Sequence, residues 1–277
     1  PHVPDVIGGY PDVLPDIATD FTHKSHNVLS INNLDGYIQN SWTLPYQDKG
    51  EFVITGGVRA NYWGYNHKVH ISPRAGVAYK PNADKRETVY RLSGGVYTQT
   101  PFYREIRNRD GSLFRDAKSQ QSYQIVAGND FKFKAWNRPF ILTSELYFKW
   151  FTHVVPYDVD NVRIRYYADQ SAKAYTTGLD FKVNGEFVKG IDSWASLSFM
   201  RAREDIRGDY YLVDAEGNRL PFYNHSDAQV ADTVALGWHS RPSDQLVNFS
   251  LFFQDYIPNF PTWRVNMTLS FGMGLPV

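Results

Sequence analysis

The stretch LVNFSLFFQDYIPNFPTWRVNMTLSFGMG, residues 246–274, decides how the rest of the chain is read. Its second arm alternates without interruption. Trp263, Val265, Met267, Leu269 and Phe271 fall on one face, and Arg264, Asn266, Thr268 and Ser270 fall on the other. A period of two marks a β-strand, because successive Cβ atoms leave opposite sides of the pleat. The first arm repeats the pattern, with Val247, Phe249, Leu251 and Phe253 set against Asn248, Ser250 and Gln254. Each arm holds about ten residues, the length with which a tilted strand crosses a bilayer. Phe253 and Trp263 put an aromatic ring on the apolar face near the turn of both arms. Amphipathic rings are favoured there if the turn lies at a boundary between lipid and water. The chain is predicted to be built from repeats of this hairpin.

Upstream, the same alternation predicts strands over 34–44, 52–63, 69–80, 88–99, 122–134, 140–151, 176–188 and 193–205. With the hairpin, that gives about ten crossing strands. Pro73 removes a ladder donor, so a bulge is expected in the third. The links at 44–51, 80–87, 134–139, 188–193 and 255–262 are short, whereas those at 99–120, 152–172 and 205–245 are long and polar. Transmembrane barrels show this asymmetry between periplasmic turns and extracellular loops. Residues 1–27, rich in Pro, Asp and Gly, read as an extracellular loop segment, and 28–277 as the transmembrane β-barrel portion. The segment VADTVALGWH, 230–239, fits either an eleventh crossing strand or, because its period breaks at Asp232, a loop; it is placed in the loop, as a protruding hairpin with YYLVDAEGNRL at 210–220.

Composition favours this all-β, antiparallel barrel reading over an ordinary soluble domain. Aromatics make up 16% of 277 residues, yet the chain is polar on average. No apolar run approaches the length of about eighteen residues that a membrane helix needs. Basic and acidic residues balance at 29 each, so nothing points to nucleic acid. Cysteine is absent, which removes disulfide frameworks and thiol chemistry. No signal-peptide pattern opens the sequence at Pro1, so an outer-membrane address implies processing or a portion of a longer protein.

The phrases SPRAGVAYKP (72–81), GVYTQTPFYREIRNRDG (95–111), YTTGLDFKVNGEF (175–187), SWASLSFMRAREDI (193–206) and RPSDQLVNFSLFFQDYIPNFPTWRVNMTLSFGMGLP (241–276) resemble the barrel of TonB-dependent outer-membrane receptors of the Bacteroidetes type. The resemblance covers most of 28–277. It implies a barrel of about twenty-two strands with a plug in its lumen. It also implies the outer membrane of a Gram-negative bacterium and uptake of a scarce or bulky solute (ferric chelate, cobalamin, glycan or peptide). Lipid and lipopolysaccharide would surround the barrel, and a periplasmic TonB-type protein would energise it through the plug. Surface lipoproteins or other outer-membrane subunits are further expected partners. No plug, no energy-coupling motif and no terminal aromatic occurs in the sequence, so the resemblance places it as an interior portion of the barrel. The rival readings are a non-transporting barrel scaffold in an outer-membrane complex and a soluble β-sandwich that binds carbohydrate.

The loop TPFYREIRNRDGSLFRDAK, 100–118, concentrates Arg104, Arg107, Arg109 and Arg115 with Phe102, Tyr103 and Phe114. Guanidinium groups grip carboxylate or phosphate in pairs of bonds, and rings stack on flat ligands or sugars. With Tyr97 at the end of the preceding strand, Tyr103, Arg104, Arg107, Arg109, Phe114 and Arg115 are the candidate ligand contacts. The plain alternative is a solvated loop whose arginines pair with Glu105, Asp110 and Asp116. Strand parity sends Arg59, Arg74, Arg91, Lys132, Glu145, Lys149, Asp180, Lys182, Glu186 and Arg264 to the polar face, as a wet lumen requires. The pairs His23/His26 and His67/His70 lack helical metal-site spacing, and in a strand such a pair points to opposite faces. DAEGN at 214–218 fits a glycine-centred turn better than a calcium loop. No GxSxG, Walker A, HExxH or dinucleotide fingerprint appears, so no enzyme activity and no metal or other cofactor is expected.

Overall fold

The computed structural model describes residues 26–82, 87–108, 110–160, 163–220, 230–257 and 259–274. The first-loop assignment up to residue 25, His23 included, and the contact assigned to Arg109 lie outside these residues. Alternating sequence becomes strand nearly everywhere it is predicted. The strands are β1 (Asn33–Pro45), β2 (Gly50–Trp63), β3 (Lys68–Pro81), β4 (Thr88–Gln99), β5 (Gln120–Ala135), β6 (Arg138–Val154), β7 (Tyr157–Asp160) and β8 (Arg163–Tyr166). They continue with β9 (Ala172–Val188), β10 (Ile191–Ile206), β11 (Tyr210–Val213), β12 (Asp232–Ala235), β13 (His239–Ser240), β14 (Val247–Ile257) and β15 (Phe260–Met273). No α-helix occurs among the described residues; the only helical pieces there are short 3-10 turns at Gln47–Lys49 and Tyr103–Ile106.

One antiparallel sheet runs β1-β2-β3-β4-β5-β6-β9-β10-β14-β15, and β13 adds two residues beside β10. Its path is open, with β1 and β15 at the edges. The hairpins β7–β8 and β11–β12 stand apart as two-stranded sheets. The second joins Tyr210 to Ala235 and Val213 to Asp232, so 232–235 lies in a loop hairpin and not in an eleventh long strand, whereas His239 at the end of that segment joins the main sheet in β13.

Opposed residues of an antiparallel pair share a face, so the registers carry the hairpin's two-sidedness across the sheet. Leu269 opposes Leu251, which opposes Ala195. Phe181 opposes Leu197, Leu179 opposes Leu146, and Leu146 opposes Ala127. Ala127 opposes Leu92, Leu92 opposes Val77, Val77 opposes Ile54, and Ile54 opposes Trp42. This apolar face is bare: Ile38 is 71% exposed, Leu146 57%, Leu269 49% and Phe271 55%. The buried clusters lie instead at the end of the sheet that carries the long loops, with Phe140 and Ile191 buried singly at the short-turn end. One cluster is Val154, Ala172, Ala174 and Ile206; another is Trp63, Ile106 and Ala117.

Aromatic rings border the apolar face. At the short-turn end Phe52 stacks on Tyr79 at 4.5 Å, and Phe140 meets Phe133 at 5.5 Å and Phe187 at 5.2 Å. At the long-loop end Trp238 meets Tyr175 at 5.2 Å and Trp150 at 5.6 Å.

The bulge expected at Pro73 is absent on the β2 side, where the register runs straight through Val58 and Pro73. The pairing of β3 with β4 stops instead at Arg74 and Gly95. The physical reason is that proline's missing donor faces β4, so that ladder ends where it would otherwise be needed. Gly95 fits this close approach, since a Cβ there would sit 2.8 Å from the Pro73 carbonyl oxygen.

Candidate functional site

The loop between β4 and β5 is held from three sides. Ile106 is buried against Trp63 and Ala117, with Tyr65, Leu113 and Phe114 packed around them. The Tyr65 hydroxyl donates to the Phe114 carbonyl at 2.9 Å, and Asn66 donates to that of Ala117 at 3.1 Å. Ser119 meets His70 at 2.8 Å. By register Trp63 and His70 lie on the polar face, so the loop folds over that side of the sheet.

Local sequence explains the loop's shape. Glu105 closes the 3-10 turn by accepting from the Phe102 amide at 3.1 Å, and Gln120 donates to it at 2.9 Å. Burial nevertheless raises the Glu105 carboxyl above its ordinary range. Arg107 bridges to Leu113 and closes a small tip. Within the tip Asp110 accepts from the Ser112 amide at 2.8 Å, and Gly111 takes the left-handed φ of 83°.

The candidate contacts divide accordingly. Tyr103 and Arg104 are exposed on the 3-10 turn, and Arg115 is exposed where the chain returns. Neither Arg104 nor Arg115 has an ion-pair partner among the described residues. Phe114 sits in the loop's own core, and Arg107 is half-buried at the bridge. Tyr97 stays on the sheet with the Arg74 guanidinium 5.0 Å from its ring centre. These groups do not close round one point; Tyr103 and Arg104 form the accessible part.

Two features went unread in the sequence. A hollow of about 260 Å³ opens between this loop and the segment after β6, lined by Asp116, Lys118, His153, Asp169 and Gln170 beside Phe114. His153 holds φ 56°, a conformation uncommon for a side chain of its size. A chain of rings also joins the loops: Phe102 meets Tyr166 edge-on at 5.6 Å, and Tyr166 meets Tyr157 at 5.9 Å. The Arg241 guanidinium lies 5.6 Å from the Tyr157 ring centre. Aromatic residues in polar loops were the available signal, but their pairings span distances that no local pattern encodes.

On the polar face each predicted cation has a partner. Arg59 meets Asp35 at 2.8 Å, and Arg91 reaches Asp130 at 3.2 Å and Glu145 at 3.1 Å. Lys132 pairs with Glu87. Arg74, Lys149, Lys182 and Arg264 sit over the rings of Tyr97, Tyr147, Trp194 and Tyr256. His67 bonds to Tyr62 at 2.8 Å, away from the His70–Ser119 contact, so the two histidines do not converge. Asp214 accepts from the amides of Glu216 and Asn218 at 3.0 and 2.7 Å, which accounts for DAEGN as a turn.

Comparison with protein-family models, with curated proteins and with solved structures returned no match for this chain.

Proposed function

We propose that the chain forms part of the wall of a transmembrane β-barrel in the outer membrane of a Gram-negative bacterium, belonging to a TonB-dependent receptor that takes up a scarce or bulky solute. One observation carries the reading: ten neighbouring strands present a single bare apolar face, bordered by aromatic rings at both ends. A ten-stranded greasy face in water is an aggregation hazard, whereas lipid is its natural solvent. From Phe140 to Trp150 on β6, ten steps of about 3.3 Å tilted by about 45° rise close to the roughly 25 Å of an outer-membrane apolar band. A soluble sandwich would lay a second sheet on that face, and the other described sheets are only two-stranded hairpins.

The opposite face suits a wet lumen, with its charges matched by neighbours. Unpaired backbone groups at β1 and β15 would each cost several kcal/mol in lipid, so further strands close the barrel in this proposal. A plug and its TonB-type coupling protein would supply the energy step, and the exposed Tyr103 and Arg104 would meet solute at the outer mouth. The test is single-cysteine labelling in a chain that has no native cysteine. Leu146, Phe181 and Leu269 should react with a lipid-soluble probe, and Glu145, Lys182 and Thr268 with a water-soluble one. Equal labelling of the two sets would sink the barrel. Correct labelling together with subunits copurifying at fixed stoichiometry and no solute binding would favour a scaffold instead.

A further inference from the structure

Where β13 returns to β10, acids and bases are packed together under cover. Glu204 on β10 is directly opposite His239. Its side chain is 2% exposed, and its two oxygens lie 3.9 Å from His239 Nε2 and 3.2 Å from Arg241 Nε. Asp209, with a side chain 3% exposed, sits 3.9 Å from His239 Nδ1. His239 also donates from Nδ1 to the Gly237 carbonyl at 3.0 Å, which fixes the ring. One step further on, Asp244 accepts from the Ala202 amide at 2.7 Å and meets Arg201 at 3.4 Å, so its charge is already answered.

The remaining charges do not balance at every pH. Glu204 and Asp209 bring two negative charges, and Arg241 brings one positive charge. Neutrality needs a proton on His239 or on one of the acids. Glu204 Oε2, Asp209 Oδ2 and Arg241 Nε are buried without a hydrogen-bond partner among the described residues, so charge balance holds the group together more than bond geometry does. Around it stand Lys173 of β9, opposite Asp205; Arg203, opposite Ser240; Arg207 beyond the strand; and Tyr157 under Arg241.

We propose that Glu204, Asp209, His239 and Arg241 form a proton-holding clasp that fastens the return segment 238–244 to the sheet and, through Arg241, Tyr157, Tyr166 and Phe102, sets the stance of the solute-facing loop. The clasp is closed in mildly acidic solution and loosens as pH rises, because losing the shared proton leaves a buried net negative charge. Asp209 agrees in sign: burial lifts its carboxyl above the ordinary range, Asp205 adds to this, and His239 opposes it. A group raised in the closed state supports that state at low pH and loses its support as pH climbs through the raised value. The link to solute rests on the receptor reading given above; the clasp does not.

Spin labels on Cys introduced at Ser240 and Thr177 test it by pulsed electron-spin distance measurement, on the full chain in vesicles. Between about pH 5.5 and about pH 8 the unmodified clasp should gain a second, longer distance as its shared proton is lost. Asp209→Asn, which balances the charges with His239 neutral, should keep the single short distance at both values. His239→Gln, in which only the acids can hold the proton, should show the longer distance at the alkaline value. An invariant distance in the otherwise unmodified protein, or a pH response surviving in Asp209→Asn, would overturn the clasp. Because Asp209→Asn leaves fewer buried charges, it keeps the test decisive even where His239→Gln does not assemble. Single-cysteine labelling of the sheet's two faces reports separately on the barrel.

Discussion

The polar face of the sheet and the loop between β4 and β5 both collect arginine, and they treat it differently. On the face, Arg59 and Arg91 are spent on Asp35, Asp130 and Glu145, and Arg74 and Arg264 on tyrosine rings. In the loop, Arg104 and Arg115 stand exposed with no carboxylate of the described residues paired to them. A wall can be charged without being a binding site, because its charges are answered at home. A cation left over on a well-anchored loop is the better candidate for meeting something from outside.

The comparison breaks first if the loop is not anchored. Trp63 is 1% exposed at the base of the loop, and Trp63→Ala should cost about 3–5 kcal/mol, the usual range for an aromatic lost from a packed site. The loss should be local. Protease should cut within 100–119 while the heat-modifiable gel mobility expected of the proposed barrel persists. Loss of the mobility shift would mean that loop and wall are one unit.

It breaks next if the wall's other side is not in lipid. Leu146→Arg should cost roughly 2–4 kcal/mol in vesicle-refolded protein, whereas Ser93→Arg on the polar face should cost under about 1 kcal/mol. Urea titration of both variants measures this, and equal costs would abolish the distinction between the faces.

Removing exposed charge from the loop sharpens the contrast. On the proposed receptor reading, Arg104→Ala with Arg115→Ala should weaken solute binding to whole cells about tenfold or more, equivalent to about 1.4 kcal/mol, without altering assembly. Unchanged binding would take the loop out of the site. The buried Glu105 adds a pH dependence. Burial raises its carboxyl above the ordinary carboxylate range, so the loop should resist protease best in acid and less as pH rises through the raised value. Glu105→Gln should flatten that profile.

What the sequence disclosed follows from the range of its signals. The two-residue period of 263–271 is local, and it carried to the registers from β1 to β15 because opposed residues in antiparallel strands must share a face. Pro73 was legible as an interruption, but not on which side it would fall, since that depends on where its nitrogen points. The loop's arginines were visible as a run. That Phe114 would turn into a core with Trp63, fifty-one residues away by the numbering, was not. Glu204 and His239 were harder still: a buried ion group is assembled by chain return, and neither RARED at 201–205 nor WHSR at 238–241 announces the other.

The smallest effect is expected inside the wall, and it is the one that most directly probes the contrast with the loop. Arg91 bridges Asp130 and Glu145, and all three side chains keep contact with solvent: Arg91 is 40% exposed, Asp130 29% and Glu145 39%. Half-exposed pairs gain little Coulomb energy after desolvation and side-chain ordering, typically 0–1 kcal/mol. Thr143 also donates to Asp130 at 2.8 Å, so one acid keeps a partner when the arginine is lost. Glu145 faces Asp180 in register, however, and Arg91 answers the Glu145 charge from the other side. Arg91→Gln should therefore cost under about 1 kcal/mol in low salt and nearly nothing in high salt, where the exposed acids are screened. Solute binding should not change. A binding loss equal to that of the loop double variant would show that the wall, and not only the loop, reads the solute.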